Sequence, residues 1–178
     1  DLYDSMGDQI VGDITSQIML WDAGSEVNQE PGLGSDQAPR QAGANTGAVD
    51  SDNTVRLATD DFSNLPAVSD VVKVTLSSTG DTGFTLRVEN VSSSATLMTS
   101  DGNSHAVPLA PGVYVIHSGS DVLFDAGMMD YGYGLANIAE DGDPSGLATM
   151  LATDTGVTQL YAPGVYVVHE SANPLFTA

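Results

Sequence analysis

The chain has 178 residues, no cysteine, and 24 acidic side chains against four basic ones, a formal net charge of −20. Nucleic-acid binding is excluded by this balance, because affinity for phosphates depends on clustered Lys and Arg, and the lack of cysteine excludes disulfides and thiolate metal sites. No run approaches the roughly 20 apolar residues that span a bilayer, so we expect no membrane insertion.

The first two thirds of the chain read as β-structure interrupted by one long irregular stretch. Alternating apolar and polar residues predict a half-buried strand over 13–21. Residues 24–52 show almost no hydrophobic periodicity, and so long a loop in a compact domain tends to be functional or to be held in place by specific contacts. Further strands are predicted over 54–57, 70–76 and 83–91, the last with apolar residues on one face only.

The last third mixes a strand with short helices. Turn formers fill 77–83, which we interpret as a linker between two units. The run Val-Tyr-Val-Ile-His at 113–117 predicts a strand. A short amphipathic turn is expected at 135–139, and a helix over 145–152 in which Asp143 is the N-cap and the proline after it takes the first position. The sequence therefore predicts an all-β fold with one or two short helices.

An internal repeat is visible in the second half of the chain. The segment 111–126 recurs 52 positions later as 163–178, with nine of sixteen aligned residues identical. Both copies offer the same side chains to the same face, so we expect equivalent strands in successive structural units. Only the first copy is followed by the predicted helix, and the second is expected to pack on a neighbouring subunit through Val165, Tyr166, Val167, Leu175 and Phe176.

Two groups of motifs resemble the two halves of a spondin domain. The segment WDAGSEVNQEPG at 21–32, followed by DQAPRQ and DNTVRL, resembles the C-terminal half. The segments PGVYVIH and AEDGDPSGL within 108–151 resemble the N-terminal half. The resemblance implies an antiparallel β-sandwich whose halves stand in reversed order. It divides the chain into a C-terminal half (1–76), a linker (77–83), an N-terminal half (84–159) and the second PGVYV strand motif (160–178).

The resemblance also implies a calcium site, with Asp22 and Glu26 at the matching positions and Ca²⁺ as the cofactor. Ca²⁺ takes six to eight oxygen ligands from flexible loops, and two carboxylates on an irregular loop can converge on it. The alternative for Asp22 is that its side chain caps a turn. Most other aspartates are interpreted as solubility and salt adaptation, since they are scattered along loops without a block of like charge.

No motif predicts catalysis, and we expect that the protein is not an enzyme. Asp141 opens a segment like an EF-hand loop, but Ala152 stands where the bidentate glutamate is required. The three histidines do not cluster, and no nucleophile or phosphate-binding motif is present. Tyr131 and Tyr133 would suit a carbohydrate-stacking platform, with ordinary packing as the alternative.

Two functions are left open. The first is a secreted, extracellular structural or adhesive protein that assembles with copies of itself, because a half-domain completed by a neighbour satisfies otherwise unpaired strand edges. Pairing of this head-to-tail kind gives a filament if it does not close. The alternative is a monomeric, secreted, calcium-dependent module that binds matrix polysaccharide or a surface receptor.

Overall fold

A computed structural model describes residues 2–58, 62, 64–117 and 121–154, together with the backbone of Tyr166–Val168. Within these residues the chain forms three small antiparallel sheets and a few short helices. The expectation of a mainly β fold is confirmed at this level.

The centre of the fold is a four-stranded antiparallel sheet in the order β1-β4-β5-β8. Its strands are β1 (Gly12–Asp13), β4 (Val72–Ser78), β5 (Phe84–Asn90) and β8 (Tyr166–Val168). Strands β4 and β5 form a hairpin of seven residue pairs. The strands predicted over 70–76 and 83–91 are confirmed, and in β4 Val74 and Leu76 are at most 4% exposed between polar neighbours that are not buried. The alternation predicted for β5 holds only in part, because Phe84 is buried while Leu86 is half-buried and Val88 is 48% exposed.

The segment 77–83, predicted as a linker, belongs to this hairpin. Ser77 and Ser78 are the last residues of β4, and the Thr79 N–H donates to the Gly83 carbonyl across the turn at 2.8 Å. The strands before and after the turn therefore lie in one sheet.

The outer edge of β4 is closed by the segment that we predicted as a continuous strand over 13–21, and that prediction is wrong. Strand β1 stops at Asp13, whose Oδ1 accepts the Thr15 N–H at 2.9 Å, and a 3₁₀ turn follows at Thr15–Gln17. The Thr15 hydroxyl oxygen accepts the Val74 N–H at 2.9 Å, and the Ile14 N–H donates to the Val74 carbonyl. Local side-chain hydrogen bonding thus outcompetes strand propensity here.

Two further sheets have two strands each. Strand β2 (Trp21–Asp22) pairs with β3 (Arg56–Leu57), and β6 (Leu97–Met98) pairs with β7 (Ser104–His105). The rings of Trp21 and Phe124 lie 4.9 Å apart, so the first of these small sheets packs against the 121–130 segment.

The predicted helices are present, with a third that the sequence did not indicate. They are α1 (Val68–Val71), α2 (Leu135–Asp141) and α3 (Ser145–Asp154). Asp143 Oδ1 accepts the Ser145 N–H at 2.9 Å, as expected of the cap. Gly134 has φ +107°, and a Cβ there would lie 2.9 Å from the Leu147 nitrogen, so glycine permits the close approach of α2 to α3. Leu147 and Leu151 are fully buried.

The two copies of the repeat differ in conformation. Residues 111–117 form no strand, so the strand predicted over 113–117 is wrong. The second copy supplies β8, which pairs with β5 of its own chain through Phe84↔Val168, Thr85↔Val167 and Leu86↔Tyr166. Strand formation needs a partner edge, and β8 occupies the available edge of β5. Val165, Leu175 and Phe176 lie outside the described residues.

The closure of the β4 edge leads to a first prediction. Thr15→Val removes the oxygen that accepts the Val74 N–H, and it should lower the free energy of unfolding by about 1–2 kcal/mol, measured by urea denaturation. Thr15→Ser keeps the hydroxyl and serves as the control. Thr15→Val keeps the methyl group and lacks only the hydroxyl, so unchanged stability in this variant would show that the hydrogen bond contributes nothing.

Candidate functional site

The candidate site lies where the loop 21–32 passes the segment leading into β3. The β2–β3 register places Asp22 opposite Arg56. Gly24 makes the turn possible: it has φ +69°, and a Cβ there would lie only 2.4 Å from the Thr54 carbonyl oxygen. The backbone of the loop 21–32 therefore lies directly against the residues that precede β3.

Arg56 is surrounded by oxygen atoms. Its Nη2 lies 2.7 Å from Asp22 Oδ2 and 2.8 Å from Asp50 Oδ2. Its Nη1 donates to the Asp52 carbonyl at 2.7 Å and to the Thr54 carbonyl at 3.3 Å, with Asp52 Oδ2 at 3.9 Å. We call these five oxygens the Arg56 cage.

Electrostatics within the cage favour the charged forms of both partners. The hydrogen bond from Arg56 is the main reason that the pKa of Asp50 is lowered, and the same bond is the main reason that the pKa of Arg56 is raised. The Asp22 side chain is 8% exposed, which makes it the most enclosed carboxylate of the three. Loss of Arg56 would leave the enclosed carboxylate of Asp22 without its counter-charge, which destabilises the folded state.

Both oxygens of Asp22 are engaged by the protein itself. Oδ1 accepts the Gly24 N–H at 2.8 Å, closing the turn as the alternative interpretation from the sequence proposed. Oδ2 accepts from Asn28 Nδ2 at 2.7 Å in addition to Arg56.

Glu26 is directed to other partners. Its Oε1 accepts the Gly47 N–H at 2.9 Å, and its backbone forms a bridge with Val49. Its carboxyl group lies close enough to that of Glu140 in α2 to affect the pKa of Glu140. The pKa of Glu140 is raised, chiefly by burial, with further increments from the charges of Glu26 and Asp141. The two carboxyl groups therefore bring α2 close to the loop 21–32.

Asp22 and Glu26, as placed, do not fit a calcium centre. Asp22 faces the guanidinium of Arg56, and Glu26 faces Gly47 and Glu140, so among the described residues the two carboxylates share no partner. Among the described residues, no group of three or more His, Cys, Asp or Glu side chains is arranged to hold a metal ion.

A groove of about 760 Å³ runs beside the cage, within the usual range for ligand pockets. Side-chain amides link the segments around it. Gln29 bonds to Asp36 through both its oxygen and its nitrogen, and Gln41 Nε2 donates to Asp141 Oδ1 at 2.8 Å. Segments that are remote in sequence, within 22–41 and 105–142, thus meet at the groove. The walls are formed by parts of 22–32, 36–40, 105–110 and 138–142.

The remaining candidates from the sequence lie apart from the Arg56 cage. Tyr131 and Tyr133 make an edge contact with ring centroids 6.1 Å apart, both side chains are exposed, and the Tyr131 hydroxyl donates to the Asp121 carbonyl. His105 lies on the groove wall, whereas His117 does not line the groove and His169 lies outside the described residues.

Sequence reasoning missed Arg56 and Glu140. A signal for Arg56 was present, since it is one of only four cations in the chain and follows Asp50 and Asp52 closely. Nothing in the local sequence marks Glu140, whose partner in the loop 21–32 is remote along the chain.

Comparison with known proteins gives no match: no family model, no curated protein and no solved structure resembles the chain. Among the described residues, no helix is both long enough and apolar enough to cross a membrane.

The contact between Glu140 and Glu26 leads to a prediction about pH. The folded state holds the Glu140 proton more tightly than the unfolded state, so this group costs stability as the pH rises from the ordinary glutamate value of 4.5 through the raised pKa. Glu140→Gln keeps the size of the side chain and removes both the titrating group and its charge beside Glu26. Its thermal midpoint should therefore exceed that of the wild type at pH 7, and the advantage should disappear at low pH.

The control for this measurement is Asp81→Asn, which removes an exposed acidic charge in the β4–β5 turn. The change in the thermal midpoint of Asp81→Asn measures the effect of removing any one negative charge from this acidic chain. A larger change in Glu140→Gln is then specific to Glu140. A Glu140→Gln profile parallel to that of Asp81→Asn across the pH range would contradict the assignment.

Proposed function

We propose that this chain is a subunit of an extracellular structural or adhesive protein that assembles with copies of itself by exchanging a strand at the edge of β5. The observation that carries the proposal is the pairing of β8 with β5, because β8 comes from the second copy of the internal repeat. No catalytic role is assigned to any residue.

The two edges of the central sheet support this proposal because they differ. The edge of β4 is already covered by β1 and by the bonds that Ile14 and Thr15 make with Val74. The edge of β5 accepts β8 through its first three residues only, opposite Phe84, Thr85 and Leu86. An incoming strand gains main-chain hydrogen bonds at such an edge whichever chain it belongs to. Exchange would convert this internal pairing into the same pairing between subunits.

The two copies of the repeat are similar where β8 pairs with β5. Residues 114–116 read Tyr-Val-Ile and residues 166–168 read Tyr-Val-Val, so the sequence of either copy suits the register opposite β5. A β8 strand that leaves its own β5 can make the same pairing with the β5 edge of a neighbouring chain. Head-to-tail pairing that does not close produces a filament.

The finer architecture and location belong to the same proposal. The three small sheets are taken as parts of an antiparallel β-sandwich of spondin type, as the motif resemblance implies. A net charge of −20 suits a protein that stays soluble in salty surroundings until it assembles. Matrix polysaccharide is a further partner within this proposal.

A cysteine pair tests the exchange directly, because the wild-type chain has no cysteine. Thr85 and Val167 are opposite residues of β5 and β8, and opposite residues lie within the Cα separation that a disulfide requires. Oxidised assemblies of Thr85→Cys/Val167→Cys should give a ladder of covalently linked oligomers on a non-reducing gel.

The matched control is Ser77→Cys/Thr85→Cys, which joins β4 to β5 within the hairpin and should give only monomers. A Thr85→Cys/Val167→Cys protein that runs only as an internally linked monomer would contradict strand exchange. So would a wild-type protein that remains monomeric by size-exclusion chromatography at all concentrations.

The groove favours a second candidate function, a binding module for a polyhydroxylated ligand such as a matrix polysaccharide. Amides and carboxylates that can hydrogen-bond to sugar hydroxyls line it, among them Asn28, Gln37 and Asp36. Ala106 is an exposed residue of the groove wall, so Ala106→Trp should obstruct it without disturbing the core.

Retention on immobilised polysaccharide measures this second function. If the groove binds, Ala106→Trp should lose most retention, while Ala95→Trp, an exposed position that is not on the groove wall, should keep it. Equal retention of both variants would exclude the groove as the site.

A further inference from the structure

The Arg56 cage has the composition of a site for a hard cation, yet it holds a side chain of the protein. All five surrounding atoms are oxygens: carboxylate oxygens of Asp22, Asp50 and Asp52, and the carbonyl oxygens of Asp52 and Thr54. Carboxylates mixed with backbone carbonyls from a loop are the ligands that Ca²⁺ takes in proteins.

The distances agree with this comparison. One nitrogen, Nη2, has the Oδ2 atoms of Asp22 and Asp50 within 2.8 Å. Ca²⁺ binds oxygen at about 2.3–2.6 Å, so an ion at the position of Nη2 would need only small shifts to bind both carboxylates. The position that would suit an ion is therefore taken by the guanidinium.

We infer that Arg56 is a built-in cation that takes the place of calcium at the loop 21–32, so that this loop is held without a metal. A covalently attached cation does not have to be captured from solution, and its local concentration is fixed by the chain. The inference concerns the loop alone and does not rest on strand exchange.

Two consequences distinguish this role from an ordinary ion pair. The wild-type loop should be indifferent to calcium, because binding would require the guanidinium to leave. Removal of the guanidinium should leave the Asp22 and Asp50 carboxylates directed at the vacated position of Nη2, with the Asp52 and Thr54 carbonyls around the neighbouring position of Nη1. The protein should then acquire a need for a divalent cation.

The experiment compares thermal midpoints in chelator and in millimolar calcium at equal ionic strength. The wild type and Arg56→Lys, which keeps a positive charge, should show no shift beyond that produced by salt. Arg56→Gln should be destabilised in chelator and should recover part of the loss with calcium. The double variant Arg56→Gln/Asp22→Asn keeps the scattered surface carboxylates but should lose the recovery.

A second readout uses the only tryptophan, Trp21, which is adjacent to Asp22. Terbium bound in the vacated cage should emit when this indole is excited, so sensitised emission is expected from Arg56→Gln and not from the wild type. Emission should be lost in the double variant.

Several results would overturn the inference. One is a thermal midpoint that rises with calcium in the wild type but not in Asp22→Asn, because calcium would then bind at Asp22 while Arg56 is still present. Another is an Arg56→Gln protein that folds no better with calcium than with chelator. A third is terbium emission of equal strength from the wild type and from Arg56→Gln.

Discussion

The interaction on which the described structure most depends is that of Arg56 with the carboxylates of Asp22 and Asp50. In a chain of net charge −20, loops rich in aspartate repel one another, and a cation at their meeting point allows them to approach. Arg56 provides that cation from β3, opposite Asp22 in β2, and its Nη1 also holds the carbonyls of the 52–54 segment. The loop 21–32 and, through it, one wall of the groove are positioned by this contact.

The central sheet has a different organisation, in which backbone pairing and not charge sets the structure. Its hairpin of β4 and β5 is local and regular, and its burial is concentrated in Val74, Leu76 and Phe84. The two edges of the sheet differ. The β4 edge is closed by β1 and by the hydrogen bond from the Val74 N–H to Thr15, whereas the β5 edge is paired with β8 from the repeated motif. The partner of β5 is remote in sequence, so the β5 edge is the part of the sheet at which the proposed association between subunits would occur.

Local patterns predicted the parts of the fold that depend on local interactions. The strands β4 and β5 and the cap at Asp143 are each decided within a few residues, and the structure contains them. The strand predicted over 13–21 failed because Asp13 and Thr15 bond to the backbone and turn the chain, an outcome that apolar alternation does not register.

The strand predicted over 113–117 failed for a nonlocal reason. Two nearly identical segments have equal strand propensity, but a strand forms only where an edge accepts it, and the β5 edge accepts Tyr166–Val168. The candidate site shows the same limit. Asp22 and Glu26 were located from the motif, whereas their partners Arg56 and Glu140 are brought in by the tertiary fold.

The most direct test of the assembly claim is solid-state NMR of filaments grown from an equal mixture of two chains, one labelled with ¹⁵N and the other with ¹³C. Only contacts between different chains then give ¹⁵N–¹³C correlations. Strand exchange predicts such correlations between residues 84–86 and residues 166–168. Their absence from mixed filaments, with the same correlations present when one chain carries both labels, would show that β8 stays with its own chain and would contradict the account.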